Sequence, residues 1–150
     1  MTRPIALRPY DPGRDADACL AIWRAASRVG HPFLSEADLD ADAGLVREVY
    51  LPAARITVAE ERGRVVGFLA LLEGLIGGLF VDPAAQGRGV GRALVRAAAA
   101  EIGALEVEVY AANAGARAFY ARLGFVETGR RDRDDRDRPL PLVRMRRAAG

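Results

Sequence analysis

The spacing of apolar and polar residues changes period several times along the 150 residues, and each change marks an element. Ile5 to Arg8 reads as a short first strand, ended by the turn-forming Asp11-Pro12-Gly13. Asp15 to Val29 places Ala18, Ile22, Ala25, Ala26 and Val29 near one face of a helix, and Gly30 is a natural stop. After the loop His31-Pro32-Phe33-Leu34, the run Ser35-Glu36-Ala37-Asp38 has the Ser-x-x-acid form of a helix start and opens a second helix to roughly Leu51. From Ile56 the period becomes that of strands. Ile56 to Ala59 and Val65 to Leu72 form a hairpin across the polar turn Glu60 to Arg64, and Leu75 to Val81 is a third strand closed by Asp82-Pro83. Gly77-Gly78 inside that strand predicts a bulge or the close approach of another backbone.

The remaining pattern predicts a helix from about Gly89 to Ile102, a strand from Leu105 to Ala111 and a helix from about Ala114 to Leu123. Strands near Phe125 to Gly129 and Leu140 to Met145 complete it. A strand, two helices, a β-meander and then βαβ-like units make a mixed α/β (α+β) fold around one sheet. The length fits one globular domain, since such a chain buries roughly 70% of its unfolded surface. Arg130 to Arg138 alternates Arg and Asp, the pattern of a solvated hairpin loop.

Composition narrows the classes. There is no lysine, so every basic side chain apart from His31 is an arginine, and the net charge is +2. Acids and bases alternate instead of forming one basic block, which argues against a nucleic-acid partner. Cys19, the single cysteine, excludes an internal disulfide and lies in an apolar helical pattern, as a small buried hydrophobe would. Val65 to Val81 is broken by Glu73 and four glycines, a poor membrane span, and Met1-Thr2-Arg3-Pro4 does not resemble a secretory leader. A cytoplasmic protein is expected.

The chemistry concentrates in Gln86-Gly87-Arg88-Gly89-Val90-Gly91-Arg92, between a buried strand and an amphipathic helix. Glycines there let the main chain approach a ligand, and the unpaired N–H groups of a helix start attract anions, a pyrophosphate being the natural occupant. The same residues also suit a strand-to-helix turn that binds nothing. A P-loop is excluded for want of Gly-Lys-Ser/Thr, and the preceding hairpin argues against a Rossmann unit. Downstream, Ala116, Phe119, Tyr120 and Leu123 form one helical face, with Gly124 as a left-handed cap and Phe125 packing over the end. Tyr120 needs a polar partner for its hydroxyl if buried.

Leu79-Phe80-Val81-Asp82-Pro83 followed by Gln86-x-x-Gly89-x-Gly91 resembles the signature of the GNAT N-acetyltransferases, as does Asn113 followed by Ala116, Phe119-Tyr120, Leu123 and Gly124-Phe125. The resemblance implies a mostly antiparallel central sheet of about six to seven strands flanked by four helices. It also implies acetyl-CoA as cosubstrate without a metal, in a V-shaped opening between Leu75–Val81 and Leu105–Ala111. Leu79, Phe80 and Val81 would bind pantetheine. Gln86, Gly87, Arg88, Gly89, Val90, Gly91 and Arg92 would hold pyrophosphate, and Asn113, Ala116, Phe119 and Tyr120 would complete the cofactor site.

By the same resemblance Tyr120 is the general acid. With a pKa of about 10 against about 8.5 for a thiol, the phenol can hydrogen-bond or protonate a departing thiolate without being ionised itself at neutral pH. Glu108, five residues before Asn113, is the candidate base, on one strand face with Glu106 and Tyr110. Its alternative is a solvent-facing carboxylate. Glu73 is a weaker candidate. His31, Phe33, Tyr50 and the Arg130–Arg138 loop are candidates for binding the acceptor amine, which could be a protein lysine, a peptide N-terminus or a small amine. The competing reading is a non-catalytic acyl-CoA-binding regulatory module. A monomer and a homodimer are both compatible with the sequence.

Overall fold

The computed structural model describes residues 4–150; the lead-in Met1 to Arg3 lies outside the described residues. Strand β1 (Ala6–Pro9) is followed by helix α1 (Pro12–Gly30). The helix starts earlier than its apolar period predicts. Asp11 is its N-cap, accepting from the Gly13 N–H at 3.0 Å, and Pro12 sits in the first turn, where a missing N–H costs nothing. What looked like a turn signal is a helix start.

Ser35 opens α2 (Glu36–Leu45) with a full capping box to Asp38. The chain continues through a π-helical turn, Val46–Tyr50, into α3 (Leu51–Ala53), so these pieces act as one helical body. Strands β2 (Arg55–Glu61), β3 (Arg64–Leu72) and β4 (Leu75–Val81) form the antiparallel meander. Its first turn holds Arg62 and Gly63 at positive φ, as a tight two-residue hairpin requires. Then come α4 (Val90–Ile102), β5 (Leu105–Tyr110), α5 (Ala114–Arg122), β6 (Val126–Arg131) and β7 (Leu142–Arg147). β7 begins at Leu142, later than the apolar pattern predicts, because Pro139 and Pro141 cannot donate to a ladder.

The seven strands lie in the order β1-β2-β3-β4-β5-β7-β6, and only β4 and β5 are parallel. Two apolar layers cover the sheet. α1 and α2 contribute Cys19, Ile22, Trp23 and Leu39 to one, against Val58 and Phe68; α4 and α5 contribute Val90, Leu94, Val95 and Tyr120 to the other. β3 feeds both, which is why Val66 to Leu71 reads as a continuous buried run instead of alternating. Cys19 is fully buried and its thiol pKa is pushed up to about 12 by that burial, as suits a small core hydrophobe.

The start of α1 is clamped to the sheet by charge. Asp15 accepts two bonds from the Arg8 guanidinium, at 2.7 and 2.8 Å, and one from the Asp11 N–H at 2.8 Å, while Arg8 also pairs with Glu60 at 2.9 Å. The Arg8 hydrogen bonds hold the Asp15 carboxyl below the usual carboxylate range against an opposing burial effect. Asp15→Asn leaves part of this arginine uncompensated, and with Arg8 still touching solvent the expected loss is about 2–3 kcal/mol in urea unfolding. Because the native pKa is depressed, the clamp acts fully above the ordinary Asp value near 4 and is lost as pH falls through the native one. The variant should therefore lose less stability on acidification than the parent chain.

Candidate active site

β4 and β5 pair only at Leu75 with Glu106 and at Ile76 with Val107. Beyond that point they part, and the edge of β4 from Gly77 onward faces an open cleft of about 1320 Å³. The divergence starts at a bulge, where the β3 register jumps from Ala70 opposite Gly78 to Leu71 opposite Ile76, leaving Gly77 as the extra residue. The Gly77-Gly78 pair is thus the bulge its sequence predicts. Leu79, Phe80 and Val81 line the cleft, Phe80 stacking on Phe68 at 5.5 Å.

Past β4 the chain is pinned by short polar contacts. The Asp82 N–H donates to Val66 O at 2.8 Å, its carboxylate accepts from the Ala84 N–H at 3.0 Å, and Gln86 Nε2 reaches back to Val81 O at 3.3 Å. Gly87 and Gly89 both have φ of +81°, a left-handed conformation that L side chains resist. Gly89 is the N-cap of α4 and gives it no side-chain cap, so the first N–H groups of the helix remain donors without an internal partner. Arg92 and Arg96 from α4 and Arg122 from the end of α5 also line the cleft, and none has an ion-pair partner among the described residues. An uncapped helix start flanked by unpaired arginines has the donors and the charge that an oxyanion needs.

Two residues of the glycine-rich segment, one in the loop and one in the first turn of α4, also shape the site. The Arg88 side chain does not line the cleft and pairs with the buried Glu61 at 2.9 Å, so it anchors the loop to β2. At Gly91 a Cβ would stand 3.1 Å from Phe119 Cζ, so this glycine lets α5 close on α4.

Asn113 caps α5, its Oδ1 accepting from the Ala116 N–H at 3.0 Å, and it lines the cleft with Ala116 and Phe119. Tyr120 is only 4% exposed and lies edge-on to Phe119 and Phe125 at 5.0 and 5.1 Å. Its hydroxyl has no hydrogen-bond partner among the described residues, and the residue lines the cleft. Burial pushes its pKa above the ordinary tyrosine value. Such a phenol is neutral at physiological pH and keeps its proton for a ligand.

The opposite wall comes from β5, the β6–β7 loop and the α1–α2 loop. Alternation along β5 leaves Glu106, Glu108 and Tyr110 half-exposed and buries Leu105, Val107 and Val109. Of the three, Glu108 and Tyr110 line the cleft. Glu108 takes two bonds from Arg131, at 2.9 and 3.1 Å, with Arg144 at 3.8 Å, so it is a paired carboxylate rather than a free one. Glu73 stands at the β3–β4 turn with φ of 57°, away from the cleft lining.

The Arg130–Arg138 segment joins β6 to β7 and is largely exposed, as its charge alternation predicts, with Asp134 as the exception. Asp134 is buried, accepting from Tyr110 Oη at 2.8 Å, from the Arg136 and Arg138 N–H groups and from Arg138 Nε at 2.7 Å. Arg136 and Arg138 also tie the loop to Asp42 on α2 at 3.0 and 2.9 Å. Alternating charge cannot reveal Tyr110, 24 positions away, or Asp42, 94 and 96 positions from the arginines it holds. Tyr110 is the site residue that sequence reasoning passed over, although its place two residues beyond Glu108 on the same strand face was a usable signal.

His31 and Tyr50 line the cleft; Phe33 does not, and instead stacks on His31 and Tyr110 at 5.6 and 5.0 Å. His31 meets Tyr110 edge-on at 4.9 Å, and burial lowers its pKa to about 4. A neutral ring with so weak a conjugate acid makes a poor base at pH 7. Between about pH 4 and 6.5 the unfolded chain binds a proton there that the native chain refuses, so native stability should rise with pH over that window. His31→Phe is expected to remove up to one proton from the pH slope of urea-unfolding free energy between those values.

Comparison with known proteins agrees with this geometry. The family profile described as "Acetyltransferase (GNAT) domain" matches residues 52–127. The chain is 37% identical over 132 residues to "Peptidyl-lysine N-acetyltransferase YjaB" of Escherichia coli K12, covering 87% of this chain and 89% of that protein. It is 37% identical over 109 residues to "Peptidyl-lysine N-acetyltransferase YiaC" of the same organism, covering 72% and 75%. The solution structure of apo-form YjaB from Escherichia coli superposes with a TM-score of 0.88 over 98% of this chain and 99% of that one, at 34% identity. The chain belongs to the GNAT family of acetyltransferases, enzymes that carry an acetyl group from acetyl-CoA to an amine.

Proposed function

We propose that these 150 residues act as one catalytic domain that acetylates lysine side chains of proteins, within a complex that holds donor and acceptor together. The observation that carries the proposal is one continuous cleft. It joins the uncapped, arginine-flanked start of α4 to a wall bearing Glu108 and Tyr110, with the unpaired Tyr120 phenol opening on the same space. The lysine preference rests on YjaB and YiaC, both named as peptidyl-lysine N-acetyltransferases.

Acetyl-CoA would supply an acyl group activated as a thioester. The N–H groups of Gly87 to Arg92 would hold its pyrophosphate, with Arg92 adding charge. The free edge of β4 at Leu79 to Val81 would bind the pantetheine amides, and one of its N–H groups would draw charge onto the thioester oxygen. Tyr120 would give its proton to the departing sulfur. Glu108 would attract the acceptor ammonium and take its proton directly or through water, Arg131 fixing the carboxylate in place.

The test is acetylation of N-terminally blocked peptides, one with a central lysine and one with arginine in its place. Mass addition confined to the lysine peptide is the expected result; transfer only to free α-amines or small amines would overturn the lysine assignment. Glu108→Gln should lower kcat/KM for the lysine peptide about 10- to 100-fold with little change in acetyl-CoA affinity.

A further inference from the structure

Most arginines in this chain are held by carboxylates: Arg8, Arg24, Arg88, Arg131 and Arg138 are examples. Among the described residues, three in one place are not. Arg96, Arg122 and Arg147 line a cavity of about 140 Å³ whose other walls are Val95, Ala99 and Leu123, so no acid faces them there. Arg147 Nε donates to Leu123 O at 3.0 Å, which caps the end of α5 and fixes that guanidinium in the wall. Arg96, Arg122 and Leu123 also line the large cleft, so the small cavity adjoins it. On α4, Arg96 lies four residues beyond Arg92, about 6 Å along the axis from the end of the glycine loop.

Three neighbouring guanidinium groups without an anion repel one another, whereas a dianionic phosphate accepts several of their N–H donors at once. Coenzyme A carries two separate anionic groups, a pyrophosphate and a phosphomonoester on the ribose 3′ oxygen. The backbone cradle at the start of α4 suits the first. It leaves the second without a partner.

We propose that Arg96 and Arg122, backed by Arg147, form a phosphomonoester site that takes the 3′-phosphate of coenzyme A and makes the protein discriminate against dephospho-CoA. This rests on the placement of acetyl-CoA proposed above. Both contributing arginines are exposed on their helices, so the site is screened, and one charge-assisted contact in such a setting corresponds to roughly tenfold in affinity.

The test is calorimetric titration of CoA and of dephospho-CoA into the full chain and into the double variant Arg96→Gln/Arg122→Gln, with thermal melts to show that both are folded. The parent chain should bind CoA about tenfold more tightly, and the double variant should lose that ratio by weakening CoA alone. Arg96→Lys/Arg122→Lys should keep part of it. Inorganic phosphate added as competitor should weaken CoA binding more than dephospho-CoA binding. Equal affinities in the parent chain, or equal loss for both ligands in the variant, would overturn the site while leaving the cradle intact. Failure of the parent chain to bind either ligand would instead overturn the cofactor placement itself.

Discussion

Tyr120→Phe is expected to lower kcat about 10²- to 10⁴-fold while leaving acetyl-CoA affinity within a few-fold of the parent value. The ring is enclosed by Phe119 and Phe125, and phenylalanine fills the same space, so the packing survives. The hydroxyl makes no hydrogen bond within the described residues, so its removal leaves no orphaned partner and the melting temperature should scarcely change. That combination separates chemistry from structure. A variant that unfolds, or that loses cofactor affinity in proportion to rate, would show that the phenol supports the fold or the ligand and not the departing sulfur. The alkaline limb of the pH–rate profile offers a second check, because burial raises the Tyr120 pKa and its deprotonation should not appear below the ordinary tyrosine value near 10.

The other large effect is expected at Gly89. Its φ of +81° lies where a β-branched residue is strained by about 1–2 kcal/mol or more, so Gly89→Val should either strain the loop or swing it out of the left-handed region. In the second case the N–H groups at the start of α4 no longer converge. The loss of two donors to a charged ligand, at about 1.5–3 kcal/mol each, amounts to more than 100-fold in affinity. Calorimetry with acetyl-CoA should show that loss, whereas urea unfolding should show a drop no larger than the strain. Gly89→Ala is the informative companion, since a Cβ there would meet nothing within 4 Å and only the backbone preference is at stake. Its defect should be smaller. Equal affinity in the parent chain and Gly89→Val would remove the loop from the cofactor site.

The sequence made the sheet and the cofactor end legible because both are written in local, short-range patterns. Alternation marked β5 and its two faces, glycine placement marked the β4 bulge and the left-handed loop, and Ser35 to Asp38 marked a capping box. Elements whose ends depend on one residue's cap were misjudged by a few positions, as at Asp11-Pro12. The acceptor end was far less legible. Asp134 is buried by a tyrosine on β5, by an arginine four residues on and, through that arginine, by Asp42 on α2, none of which leaves a periodic trace. Arg88 illustrates the same limit within a motif: its neighbours dictate the backbone, yet its side chain is claimed by Glu61 on β2.

The ion pairs described here draw their positive charge from arginine because the chain contains no lysine. For an enzyme proposed to modify lysine, this leaves those ion pairs inert to its own reaction. Neither its own turnover nor spontaneous transfer from acetyl-CoA can neutralise a side chain in the Arg8–Asp15 clamp, the Arg131–Glu108 pair or the Arg138 hub. These 150 residues offer no ε-amine to compete with the acceptor, and their arginine charges stay fixed however high the acetyl donor concentration rises.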